Sequence, residues 1–171
     1  MNVIVCVKQI PDPAVPGELN GSTNTLKRDG KLILDDSDAY GVEMALQLVD
    51  KAGGGEVSLV SMAPNGETSG LRTALAMGAV KGVLVSDPAL QGSDALTTAK
   101  VLAAAVKKLG GADLVIAATE SSDGYTGTVP EQMAELLGLP SVTFAKKVSV
   151  EGGSLKVCLL YTSDAADDTP C

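Results

Sequence analysis

Short, almost wholly apolar runs alternate along this chain with longer stretches of helical period, and that alternation narrows its fold more than anything else. Residues 2–7, 56–62, 82–85 and 113–118 are the apolar runs, rich in Val, Ile and Leu and too short for helices. Strands apolar on both faces belong in a sheet that is covered on both sides. Between them, Val42, Ala45, Leu46 and Val49 share one face of a helix running to about Lys51, opened by Asp35, Asp36, Ser37 and Asp38 and ended by Gly53, Gly54 and Gly55. Residues 66–78 place Leu71, Ala74 and Leu75 inward, and residues 94–109 form an Ala-, Val- and Leu-rich helix stopped by Gly110 and Gly111. Strands alternating with helices predict an α/β domain with an open, mostly parallel, doubly wound sheet. A length of 171 residues suits one such domain.

Two stretches fall outside that rhythm. Residues 9–24 carry Pro11, Pro13, Pro16, Gly17 and Gly21 and read as irregular, followed by a short hairpin over 25–34 turning at Asp29 and Gly30. Residues 141–148 and 154–160 read as later strands around a turn at 151–153.

Residues 113–138 carry the strongest functional signal. They read as a strand, a polar loop over 119–128, and a helix over 129–137. Pro130 falls in the first helical turn, where its missing N–H costs nothing, and Gly138 and Pro140 supply the stop. The loop brings backbone N–H groups and the hydroxyls of Ser121, Ser122, Tyr125, Thr126 and Thr128 to a helix N-terminus, which is the layout of a phosphate site. No Lys or Arg lies in the loop, so an anion there is expected to be held by amides and helix dipole. The same residue types also serve simply to cap a helix. The loop is neither a P-loop nor G-x-G-x-x-G. In sheets of this kind ligands sit beyond the carboxyl ends of the strands, near the switch in strand order. Residues 6–9, 62–65 and 119–128 are expected to meet there. The turn at Asp35, Asp36, Ser37 and Asp38 borders the same crevice, although by itself it reads as plain capping.

Composition removes several classes of function. A net charge of −8 and scattered basic residues argue against nucleic acid. No run approaches the ~18–20 apolar residues of a membrane span, and the N-terminus lacks a signal-peptide layout. Three cysteines (Cys6, Cys158 and Cys171) lack metal spacing and fit a reducing, cytoplasmic setting. Cys6 reads as a small buried residue. There is no histidine, which removes Ser-His-Asp and Cys-His catalysis and HExxH zinc sites, so no enzyme activity of its own is expected.

Several segments in order resemble the beta-subunit family of electron transfer flavoproteins, the FixA type. They are MNVIVCVKQIPDP, DDSDAYGVEMAL, VSLVSMAP, LRTALAMGAVKGVLV and DLVIAATESSDGYTGTVPEQMAELLGLPSVTFA, spread over residues 1–157. The resemblance implies an open nucleotide-binding α/β fold, of the adenine-nucleotide α-hydrolase-like type, within a longer chain. It also implies a structural AMP and a heterodimer with a FixB-type alpha subunit that carries FAD. Electrons would pass from acyl-CoA dehydrogenases or related flavoenzymes to an ETF-quinone oxidoreductase-type acceptor, as in fatty acid oxidation. Carried over by motif, Cys6 would flank the adenine, Asp35, Asp36, Ser37 and Asp38 would line the nucleoside side, and Met62 would pack on the base. Ala118, Thr119, Ser121, Ser122, Asp123, Gly124, Tyr125, Thr126, Gly127 and Thr128 would cradle ribose and phosphate. Asp35 stands where the family frequently has Asn. A bifurcating branch binds a second FAD here with a loop resembling Asp-Gly-Asp-Thr-Ala-Gln-Val-Gly. The Asp-Gly-Tyr-Thr-Gly-Thr-Val-Pro of this chain favours AMP. A universal-stress-type adenine-nucleotide module is the competing reading, but its Gly-x2-Gly-x9-Gly-Ser/Thr loop is missing.

The resemblance stops after Val157. Residues 158–171, CLLYTSDAADDTPC, look like the translation of a transposase-type sequencing adapter, so the family domain is expected to be 1–157. The family's dehydrogenase-docking loop and the arm around the alpha subunit would lie beyond that point. Cys158 to Leu160 continue an apolar strand pattern, whereas the small and acidic residues from Tyr161 on are expected to stay exposed.

Overall fold

The computed structural model describes residues 1–160. Strand β1 (Asn2–Cys6) leads into an antiparallel excursion made of β2 (Gln9–Pro11), β3 (Leu19–Asn20), β4 (Thr25–Leu26) and β5 (Leu32–Leu34). Helix α1 (Asp36–Lys51), β6 (Glu56–Ala63), α2 (Ser69–Ala76), β7 (Lys81–Ser86), a 3-10 turn at Pro88–Leu90, α3 (Ala95–Lys108), β8 (Leu114–Ile116) and α4 (Val129–Leu137) follow. A hairpin of β9 (Ala145–Glu151) and β10 (Ser154–Leu159) closes the described part.

The parallel sheet has the order β7-β6-β1-β8. Register runs Val5↔Leu59 on one side of β1 and Val5↔Ile116 on the other. Side chains alternate across a strand, so β1 feeds two cores. Val3, Val5 and Val7 pack with Val57 and Leu59 against Val42 and Ala45 of α1 and Leu71 and Ala74 of α2. Ile4 and Cys6 pack with Val60 against Ala99, Leu102 and Val106 of α3 and Met133 of α4. Fully buried alanines at 45, 74 and 99 let the helices lie close on the sheet. The fold is therefore α/β and doubly wound, as its alternating pattern requires.

The excursion overturns two expectations. Residues 25–34 do not form a hairpin around Asp29 and Gly30. Instead β5 pairs back to β2 (Gln9↔Leu34, Pro11↔Leu32), and β4 pairs with β3 (Leu19↔Leu26), giving a nested pair of ladders. Residues 9–24 are thus partly regular. Their prolines sit at strand ends or in turns, where a missing N–H breaks no ladder. Three boundaries also move. Helix α2 is shorter than 66–78, β8 is shorter than 113–118, and residues 141–144 precede β9, with Phe144 at positive φ. Gly152 and Gly153, both at positive φ, make the two-residue turn between β9 and β10. Strand β10 runs on through Cys158 and Leu159. The expectation for residues from Tyr161 on lies outside the described residues.

Candidate functional site

The sheet order places β1 and β8 side by side, with the chain crossing from β1 to β6 on one side and returning to β8 on the other. The carboxyl ends of β1 and β8 thus flank the topological switch point. A partly open cavity of about 60 Å³ lies at the opposite, amino end, lined by Asn2, Ile4 and Glu56 among others.

Lys8, just past β1, is the hub of this edge. Its backbone N–H donates to Asp38 Oδ2 at 2.6 Å, and its carbonyl accepts from the Asp35 N–H at 3.1 Å. Its Nζ donates to Ser121 Oγ at 3.0 Å and to Asp123 Oδ1 at 2.6 Å. Asp35, the N-cap of α1, is wholly buried. It accepts from the Ser37 N–H at 3.1 Å, from the Ser122 N–H at 2.7 Å and from Ser122 Oγ at 2.6 Å. Asp123 also pairs with the Arg28 guanidinium from the excursion. Three consecutive loop residues, 121 to 123, are therefore each held by a charged side chain from another element.

Two carboxyl groups here are shifted in opposite directions. Asp38 is pushed up to about 7 by burial, helped by the charges of Asp35 and Asp123 and opposed by the Lys8 N–H and ammonium. Burial also works against the charge of Asp123, but the hydrogen bond and charge of Lys8 and the charge of Arg28 outweigh it and hold that carboxyl below its usual range. The Cys6 thiol is pushed up to about 12 by burial and, secondarily, by Asp38, so it stays protonated. Its Sγ lies 4.0 Å from Met133 Sδ.

The loop divides into two halves. In the first, Gly124 and Tyr125 both donate their N–H groups to Ser121 O, closing a turn, and the Ser122 N–H is taken by Asp35. In the second, the N–H groups of Thr126, Gly127 and Thr128 have no acceptor among the described residues. Thr128, the N-cap of α4, makes no side-chain capping bond. In the next turn Glu131 Oε2 and Gln132 Oε1 are buried and without a donor among the described residues. The start of α4 thus presents unpaired amides beside two buried, unpaired side-chain oxygens; leaving the buried pair without a donor is costly, whereas Thr126 and Thr128 are exposed to solvent. Gly127 holds φ +60°, a conformation that favours glycine.

The predicted residues separate accordingly. Ser121, Ser122 and Asp123 are clamped, Gly124 and Tyr125 form the turn, and Thr126, Gly127 and Thr128 carry the open amides. Asp35 and Asp38 face inward, whereas Asp36 and Ser37 are exposed. Ala118 and Thr119 are half-buried on the way out of β8. Cys6 and Met62 belong to the α3/α4 face together with Met133, a soft apolar floor beneath the start of α4. Two cations, Lys8 and Arg28, reach the loop from outside it, where both pair with Asp123. Lys8 had a signal, a lone cation directly after a buried strand. Arg28 had none. Gln9 closes the 6–9 stretch expected at this edge. Its Oε1 accepts from the Gly70 N–H at 2.7 Å and its Nε2 donates to Glu67 O at 2.6 Å, which ties the start of α2 to the same edge.

Fold and site together define an open α/β domain with a polar crevice at its switch point. The chain belongs to the electron transfer flavoprotein family: the family model described as electron transfer flavoprotein domain matches residues 23–166. It is 40% identical over 159 residues to the electron transfer flavoprotein subunit beta of Mycobacterium tuberculosis, covering 90% of this chain and 60% of that protein. Protein FixA of Azorhizobium caulinodans is 38% identical over 165 residues, covering 92% of this chain and 58% of its own. The caffeyl-CoA reductase-Etf complex subunit CarD of Acetobacterium woodii is 38% identical over 152 residues, covering 88% and 58%. The chain therefore spans only about 60% of the length of the first of these relatives. Among the described residues no helix is long and apolar enough to cross a membrane.

Proposed function

We propose that this chain is the nucleotide-binding part of an electron transfer flavoprotein beta subunit that holds AMP as a structural ligand. One observation carries the reading: the unpaired amides of Thr126, Gly127 and Thr128 stand at the start of α4, whose own N-cap is unfilled. The Glu131 and Gln132 oxygens in the same helical turn suit the hydroxyl and amine donors of a nucleoside. The carboxyl groups of Asp35, Asp38 and Asp123 outnumber the two cations, Lys8 and Arg28, even with Asp38 only partly ionised near neutral pH, and favour a ligand of low charge, one phosphate rather than three. Cys6 and Met62 would lie against the base.

In this reading the chain performs no chemistry. It pairs with a FixB-type alpha subunit whose FAD carries electrons from an acyl-CoA dehydrogenase or related flavoenzyme toward a quinone reductase. The names of the beta-subunit and FixA relatives support this role, and CarD bears the name of a CoA-thioester reductase complex. The test is to co-express the full chain with an alpha subunit, release bound nucleotide with acid, and separate it by chromatography. One equivalent each of AMP and FAD is expected. Two equivalents of FAD and no AMP would replace the AMP reading with the bifurcating one.

A further inference from the structure

Asp123 draws on two cations from two separate parts of the fold. Its side chain is only 5% exposed, yet one oxygen accepts from Lys8 at the end of β1 and the other meets Arg28, two residues past β4. The excursion that carries Arg28 is tied to the domain at its base, where β2 pairs with β5. Near its tip the Lys27 N–H donates to Glu18 O at 2.9 Å, so the segment before Arg28 is itself fastened. Among the described residues, the Arg28–Asp123 pair is the sole hydrogen bond or ion pair joining residues 12–31 to residues 119–128.

We infer that Arg28 is a positioning residue for the nucleotide loop, acting through Asp123 and not through the ligand. The inference rests on the nucleotide reading of the site. Without Arg28, one oxygen of a buried carboxylate loses the cation paired with it, and Lys8 alone must serve both Ser121 and Asp123. A buried charge stripped of a partner is relieved most readily by letting water in. Here that means opening the turn in which Gly124 and Tyr125 donate to Ser121 O. The open amides at 126 to 128 follow directly in the chain, so a loose turn would scatter them, and AMP would have to order them on binding. The excursion thus becomes a structural wall of the site, although none of residues 12–31 was expected there.

The test compares wild type, Arg28→Gln, Arg28→Lys and Asp123→Asn in the full chain. Amide hydrogen exchange and AMP titration by calorimetry are the readouts. In Arg28→Gln, exchange at Gly124 and Tyr125 should speed up about tenfold while β1 and β6 stay unchanged, as expected for a local opening. AMP should bind about fivefold more weakly, the low end of ordinary coupling between separate groups. Asp123→Asn should loosen the same amides, and Arg28→Lys should restore most of both effects. Unchanged exchange at Gly124 and Tyr125 in both Arg28→Gln and Asp123→Asn would overturn the inference. So would a weaker AMP affinity that Arg28→Lys does not rescue. Should wild type bind no AMP, the nucleotide reading fails alone, because the exchange pattern still decides the role of Arg28.

Discussion

Replacing Asp35 by Ala should cost about 3 kcal/mol of folding stability, well beyond the loss of a helix cap. Asp35 is wholly buried and its two oxygens serve two structures at once. One bond, from the Ser37 N–H at 3.1 Å, caps α1. An N-cap of this kind is worth about 1 kcal/mol. The other two, from the Ser122 N–H at 2.7 Å and Ser122 Oγ at 2.6 Å, fasten the loop after β8. Hydrogen bonds to a charged group contribute about 1.5 kcal/mol each at the low end, and water reaching the exposed Ser122 recovers part of that. Asp35→Asn separates the two jobs. Asn caps as well as Asp, but with its carbonyl kept for Ser37 its NH2 faces the Ser122 N–H, which loses its acceptor, so the cost should be about 2 kcal/mol and fall on the loop side. Urea unfolding of the full chain, with an unchanged slope, gives both numbers. Asp35→Asn costing nothing while Asp35→Ala costs only about 1 kcal/mol would show that this side chain is a cap and nothing more.

Asp38 makes the protein less stable as pH rises. Its carboxyl is pushed up to about 7, so between its ordinary value of 3.8 and about 7 the folded state holds a proton that the unfolded state has lost. Stability therefore falls across that window and levels off above it, by up to about 4 kcal/mol. Asp38→Asn should flatten this part of a pH series of thermal melts. A parallel decline in the variant would show that another group causes it. Asp123 acts in the opposite sense, with stability present above its unfolded pKa and lost as pH falls through its lowered folded value. Gly127→Val should abolish AMP binding, because a β-branched residue at φ +60° is strained and its side chain would crowd the backbone against which a phosphate must lie. Equal AMP heats for wild type and Gly127→Val would move the site elsewhere.

Much of the fold was legible because its cues are local. The helical face of Val42, Ala45 and Val49, the early Pro130 and the left-handed Gly138 at the end of α4 act within a turn or two of chain. The nested ladders of the excursion were not, because strands of two or three residues carry no period, and Gln9 and Leu34 become neighbours only once β2 and β5 align. The same holds for Lys8 and Asp123, 115 residues apart. Family motifs pointed to this loop but carried no sign of its division into a clamped half and an open half.

Alternation of apolar runs and amphipathic stretches was enough to specify a doubly wound parallel sheet, and a polar loop before a proline-started helix was enough to mark its candidate functional edge. Both follow from short-range rules, since side-chain direction repeats with the backbone and caps satisfy adjacent N–H groups. Which loop groups are free to meet a ligand was settled by long-range contacts. Strand order sets Lys8 beside Asp123, the nested excursion brings Arg28 to the same carboxylate, and the start of α1 turns Asp35 onto Ser122. Charge pairing depends on distance in space, and in this chain that distance exists only after the sheet and the excursion have closed.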